Sequence, residues 1–155
     1  MLRFAACFLL AISCFLLGSC QVNRYKDGLR TGLWVTGDDS GDFKSRGRYK
    51  KDRERGTWKY FYNDTLYQKD RYSGNNARVK FYHPNKKIRA SGKTSMDYNG
   101  KMAHWYYNGD WKYFDTGGKL LKTVTYEKGT PVAEVSSGNP AKETTIEPAT
   151  IKRTN

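Results

Sequence analysis

"WKYFYNDTLY", Trp58–Tyr67, carries the repeating signal of the chain. In "TWKYFY" just before the turn, Trp58, Tyr60 and Tyr62 point one way and Thr57, Lys59 and Phe61 the other. That is a period of two, which strands have and helices do not. Asn63-Asp64 are turn formers, and a second short apolar run follows them. Strand, short turn, strand predicts a β-hairpin.

The unit recurs. "VKFYHPNKKI" at Val79–Ile88 and "WKYFDTGGKL" at Trp111–Leu120 align with it without gaps. Pro84-Asn85 and Gly117-Gly118 stand where Asn63-Asp64 stand, and Tyr60-Phe61, Phe81-Tyr82 and Tyr113-Phe114 fall in register. "GLW" at Gly32–Trp34, "GTW" at Gly56–Trp58 and "GDW" at Gly109–Trp111 share the pattern Gly-x-Trp. Each Trp, or Val79 in its place, is followed nine residues later by Phe43, Tyr67, Ile88 or Leu120. The units start 24, 21 and 32 residues apart, from Trp34 to Trp58 to Val79 to Trp111. The long third interval holds an extra piece, "SMDYNGKMAHWYYN" at Ser95–Asn108. The expected fold is all-β: an antiparallel meander of stacked hairpins in a single-layer or open sheet. One hairpin alone is marginal, but several can share their aromatic faces. The equivalent aromatics Trp34, Trp58, Trp111, Phe61, Tyr82 and Phe114 are expected to be structural.

Composition agrees. Of the chain's 12 Tyr, 7 Phe and 4 Trp, all but Phe4, Phe8 and Phe15 lie beyond the first twenty positions, where they outweigh the few Leu, Ile and Val. Tyr and Trp pack on one side and hydrogen-bond on the other, which suits a thin sheet with a wet face.

The amino-terminal segment sets the cellular context. A short basic start, Met1–Arg3, precedes a near-continuous apolar run from Phe4 to Leu17, then Gly18, Ser19 and Cys20. This is the layout of a secretory signal, and the run is too short to span a bilayer as a helix. "LGSC", Leu17–Cys20, resembles the lipobox of bacterial lipoproteins. The resemblance implies lipidation of Cys20, cleavage before it and attachment to the membrane through that lipid. A plain secretory signal and a buried apolar segment are the alternatives. Cys7 and Cys14 would leave with the signal, so the mature chain would hold no disulfide and no cysteine metal site within one copy. Gln21, not aspartate, follows the cysteine, which resembles an outer-membrane address facing the periplasm.

Removing Arg3 from the 28 Lys+Arg leaves 27 cations against 15 Asp+Glu, a net charge of +12. In the cytosol such a balance would suggest nucleic acid. The export signal argues against that, and no nucleic acid is expected. Anionic partners at a membrane fit better: phospholipid headgroups, lipopolysaccharide phosphates or acidic glycans.

The Gly-x-Trp units, with "TYEKG" at Thr125–Gly129, resemble MORN and MORN-variant repeats. They look most like the bacterial repeat proteins labelled YwqK-family antitoxin. The resemblance runs from about Asp27 to Pro131 and implies a MORN-like β-hairpin repeat domain. It also implies a scaffold for protein or lipid contacts, with toxin–antitoxin partner binding as the reading the label suggests. The expected boundaries are a signal peptide over 1–19, lipidated Cys20 and a short tether over 20–31, the repeat domain over 32–131 and a disordered tail over 132–155.

No catalytic constellation stands out. His83 lies in a turn and is expected to face solvent, and His104 precedes "WYY"; neither has a carboxylate at zinc-ligand spacing. Asp38, Ser40 and Asp42 have the opening spacing of a calcium loop, but the twelfth position is Tyr49, so a hairpin turn is preferred. No cofactor and no metal are expected. Lys and Arg interleave with Tyr and Trp in "RYKKDRERGTWKYFY" and "ARVKFYHPNKKIRASGK". An alternating strand produces this pattern without any ligand, and simple amphipathy is the preferred reading. Lys51, Arg53, Lys86 and Lys87 are the candidate contacts to an anionic surface. The function expected is a non-catalytic envelope lipoprotein that binds a protein, an anionic glycan or a membrane surface. The alternative is an enzyme or enzyme accessory with a site near 95–108.

Overall fold

A computed structural model describes residues 21–98, 100 and 102–138. Cys20, the segment 1–19 expected to be a signal peptide, and residues from 139 onward lie outside the described residues. The described chain forms β1 (Arg24–Lys26), β2 (Leu29–Gly37), β3 (Phe43–Lys50), β4 (Arg53–Tyr62) and β5 (Thr65–Ser73). It continues with β6 (Asn76–Tyr82), β7 (Ile88–Tyr98), β8 (Ala103–Phe114), β9 (Leu120–Glu127) and β10 (Thr130–Ser136). All ten make one sheet in chain order, each strand antiparallel to the next. The expected all-β meander is the observed architecture.

Tight turns make this order. Asp27-Gly28, Lys51-Asp52, Asn63-Asp64 and Lys128-Gly129 all have positive φ at both positions. That is the two-residue hairpin geometry whose twist matches the flanking strands. The Ser95–Asn108 insertion lengthens one hairpin, so β7 and β8 have 11 and 12 residues.

Two boundaries differ from expectation. The sheet begins before Gly32, because the Asp27-Gly28 turn pairs Tyr25 with Arg30 and Lys26 with Leu29. It also runs past Pro131. Val132–Ser136, expected in a disordered tail, belong to β10, which pairs with β9 and is exposed throughout. Val132–Ser136 have no aromatic residue to bury, and backbone pairing after the Lys128-Gly129 turn holds this strand instead. A Lys122–Glu134 ion pair of 2.9 Å adds to it.

The core lies on one face and is built by rings lying over small residues. Trp34, Trp58 and Trp111 are all buried, and Trp111 is 0% exposed. Trp58 covers Gly47 on the preceding strand, and Trp111 covers Gly92 in the same way. Each indole N–H donates to the carbonyl of the residue after that glycine: Trp58 to Arg48 at 3.2 Å, Trp111 to Lys93 at 2.9 Å. The hydroxyl pairs Tyr60–Tyr72 and Tyr113–Tyr126, each 3.1 Å apart, repeat alongside. Trp105 on β8 meets Tyr72 on β5 with ring centroids 5.4 Å apart. Strands three apart are separated by about 14 Å in a flat sheet. The two rings meet by leaning over small Ala77 and Thr94, both buried between them.

Candidate functional site

The aromatic face leaves the opposite face to the alternating cations. Strand register decides what they do there. Arg46 on β3 is directly opposite Lys59 on β4. Lys59 is opposite Lys69, Lys69 opposite Lys80, Lys80 opposite Ser91, and Ser91 opposite Lys112. Five cations and one serine therefore form a single row across β3 to β8. A second, shorter row runs from Thr57 through Arg71, Arg78 and Lys93 to Asn108. Among the described residues, ion pairs join Arg30 to Asp52, Lys44 to Asp64 and Lys122 to Glu134, and none takes a cation of either row. Toward β8 this face also carries Asp110 and Asp97, held by the hydroxyls of Thr125 (2.7 Å) and Tyr106 (3.1 Å).

Half-buried aromatics flank the main row. Phe61, Tyr82 and Phe114 each sit two residues beyond a row lysine on the same strand: Lys59, Lys80 and Lys112. Each is opposite an aliphatic residue, Leu66, Ile88 or Leu120. The sequence pattern groups these rings with the tryptophans as equivalent structural aromatics, but strand register puts them on the other face. At the β3 end of the row, an open depression of about 250 Å³ is lined by Val35, Lys44, Ser45, Arg46, Phe61 and Asp64.

The structure does not gather the four basic residues singled out from the sequence. Lys51 and Arg53 lie at the β3–β4 turn, and Lys86 and Lys87 at the β6–β7 turn. In a meander these turns are at opposite ends, about 25 Å apart along the strands. Lys87 is also engaged, its Nζ donating to the Gly117 carbonyl at 2.7 Å. The strand cations that do align were hidden because their register depends on bulges.

The other motifs are structural. His83 is half-buried, not solvent-facing, and its Nε2 is 3.0 Å from the Phe114 carbonyl. A carbonyl only accepts, so this nitrogen carries the proton. Asn85 donates to the Thr116 carbonyl at 2.8 Å, so the β6–β7 and β8–β9 turns are tied together. Asp38 closes its own turn by accepting from the Phe43 N–H at 3.1 Å. That bond holds its carboxyl below the usual range. The Arg30 N–H does the same for Asp52, and the Lys119 N–H for Asp115. Burial, with the Tyr126 hydroxyl beside it, pushes the Tyr113 phenol far upward.

One buried acid breaks the repeat. Asp70 is 0% exposed and lies opposite Trp58, where the equivalent partner of Trp111 is Val124. It accepts from Gln68 Nε2 at 2.9 and 3.0 Å and from the Tyr72 hydroxyl at 3.1 Å. Around the Ser95–Asn108 extension, Asp97 is opposite His104, both exposed. Among the described residues no group of three His, Cys, Asp or Glu is placed to hold a metal ion. No family model matches the sequence, and neither a curated protein nor a solved structure matches it.

Proposed function

We propose that this chain is a non-catalytic, lipid-anchored envelope protein that offers the cationic face of its repeat sheet to an anionic partner. The observation that carries this reading is the register of Arg46, Lys59, Lys69, Lys80 and Lys112 across neighbouring strands. Like charges directly opposite one another destabilise a sheet. Lysines that only protect a sheet from aggregation belong on its edges. Here the edges are β1 and β10, and the row crosses interior strands. An anionic partner makes such a row favourable, since it supplies the missing countercharge.

The membrane link rests on Cys20 and its lipobox-like setting, and MORN-variant repeats are the architecture this arrangement resembles. The periplasmic face of the outer membrane is the compartment that the Gln21 signal favours. Two measurements test the reading. Mass spectrometry of the mature amino terminus should find an acylated Cys20; an intact Met1 or a free thiol there removes the anchor. The whole chain should bind lipopolysaccharide at low salt and release it as salt screens the contact. Salt-insensitive binding, or none to any anionic probe, removes the anionic partner.

A further inference from the structure

We propose that the row is a track for a linear acidic polysaccharide lying across the strands, a refinement that rests on the anionic-partner reading above. The geometry is one-dimensional. One cation per strand, with Ser91 as the single neutral step, repeats at the inter-strand spacing of about 4.8 Å. A polymer bearing one acid on each sugar places its charges at a comparable interval along a line. From β3 to β8 the track is roughly 24 Å long.

The flanking rings suit sugars. Phe61, Tyr82 and Phe114 parallel the row on the same face and are half-buried, so their orientation is held by Leu66, Ile88 and Leu120 opposite them. A pyranose ring presents C–H groups to an aromatic face while its acid reaches the neighbouring lysine. A bilayer would instead be met by exposed apolar side chains clustered beside the cations. The large exposed apolar residues are scattered from Val22 to Val135, and those in line with the row, Val35 opposite Arg46 and Val135 beyond Lys112 and Thr123, stand only at its two ends. Ser91 stands in the main row between Lys80 and Lys112, where its hydroxyl can hydrogen-bond a sugar hydroxyl.

The test uses the whole chain, purified in a neutral detergent, with labelled oligogalacturonates of increasing length as the probe. Affinity should climb with length until the oligomer spans the roughly 24 Å track, then level off. The variant Lys59→Gln/Lys69→Gln/Lys80→Gln should lose roughly a hundredfold in affinity, about a factor of five per charge. Lys51→Gln/Arg53→Gln/Lys86→Gln removes the same charge at the turns and should bind nearly as well as the parent. Circular dichroism on both triple variants establishes that each is folded. Micelles doped with phosphatidylglycerol form the second arm. If the parent binds these micelles but no oligogalacturonate, or binds long oligomers no better than the monomer, the polysaccharide track is wrong and the anionic face stands. If the two triple variants lose binding equally, the row is not a site. If neither probe binds, the underlying reading fails with it.

Discussion

Gly47 lies beneath the indole of Trp58 so closely that a Cβ on Gly47 would enter the ring, and Gly92 stands in the same relation to Trp111. Neither glycine is at a positive φ, so space and not backbone freedom requires it. The pair explains how a sheet with one layer buries a tryptophan completely. The ring lies flat on the neighbouring strand, and its N–H bonds that strand's backbone one residue on.

Gly47→Ala and Gly92→Ala should each destabilise the domain by about 3 kcal/mol, at the upper end of overpacking costs, because the ring and the backbone cannot both keep their places. Trp58→Ala and Trp111→Ala should cost about 3–5 kcal/mol. Urea unfolding of the four variants checks this. Midpoints equal to the parent's would mean that the rings do not pack on the glycines.

Removing like charges from the row should raise stability. Lys69 faces Lys59 on one side and Lys80 on the other. Lys69→Gln relieves both contacts and should gain about 0.2–1 kcal/mol at low salt, and less as salt rises. Thermal melts at two ionic strengths measure it. A loss of stability would show that the lysine stem contributes more by packing than its charge costs.

The turn aspartates predict an acid response. Asp38, Asp52 and Asp115 have depressed carboxyl values in the folded chain. Each therefore binds its proton less readily folded than unfolded. Their stabilisation is present above the unfolded value of about 3.9 and is lost as pH falls toward the folded values. The midpoint of thermal unfolding should drop on acidification below about pH 4. Asp38→Asn/Asp52→Asn/Asp115→Asn should be less stable at neutral pH and flatter in acid. An equally steep acid response in the triple variant would place the effect on other carboxylates.

Asp70 and Gln68 should act as a unit. Asp70→Val restores the residue type found opposite Trp111, but it leaves the buried Gln68 amide without its acceptor. That single change should cost about 1–3 kcal/mol. Adding Gln68→Met removes the stranded donor and should recover much of the loss, which a double-mutant cycle by chemical unfolding will read. Additive losses would mean that the two side chains do not depend on each other.

The hairpins, their order and the tryptophan positions were legible in the sequence, because a period of two, Gly-x-Trp and turn residues are local signals. Trp34, Trp58, Val79 and Trp111 do fall on β2, β4, β6 and β8. The ends of the sheet were read less well. Asp27-Gly28 and Lys128-Gly129 add strands held by backbone pairing, which leaves little mark in side-chain composition.

The sequence by itself determined an alternating, aromatic and basic chain of hairpins. Only the tertiary structure decided which cations meet. Counting back from the Asn63-Asp64 turn would set Lys59 opposite Gln68 and Trp58 opposite Lys69. The register shift after Tyr60 moves the pairing by one, so Lys59 meets Lys69 and Trp58 meets Asp70. Equivalent shifts follow Phe81 and Tyr113. A one-residue slip carries every side chain of a strand to the other face. A bulge absorbs one residue where rings and turns must be accommodated together, and that is a property of packed neighbouring strands. The cationic row exists because those bulges recur at the same place in each repeat.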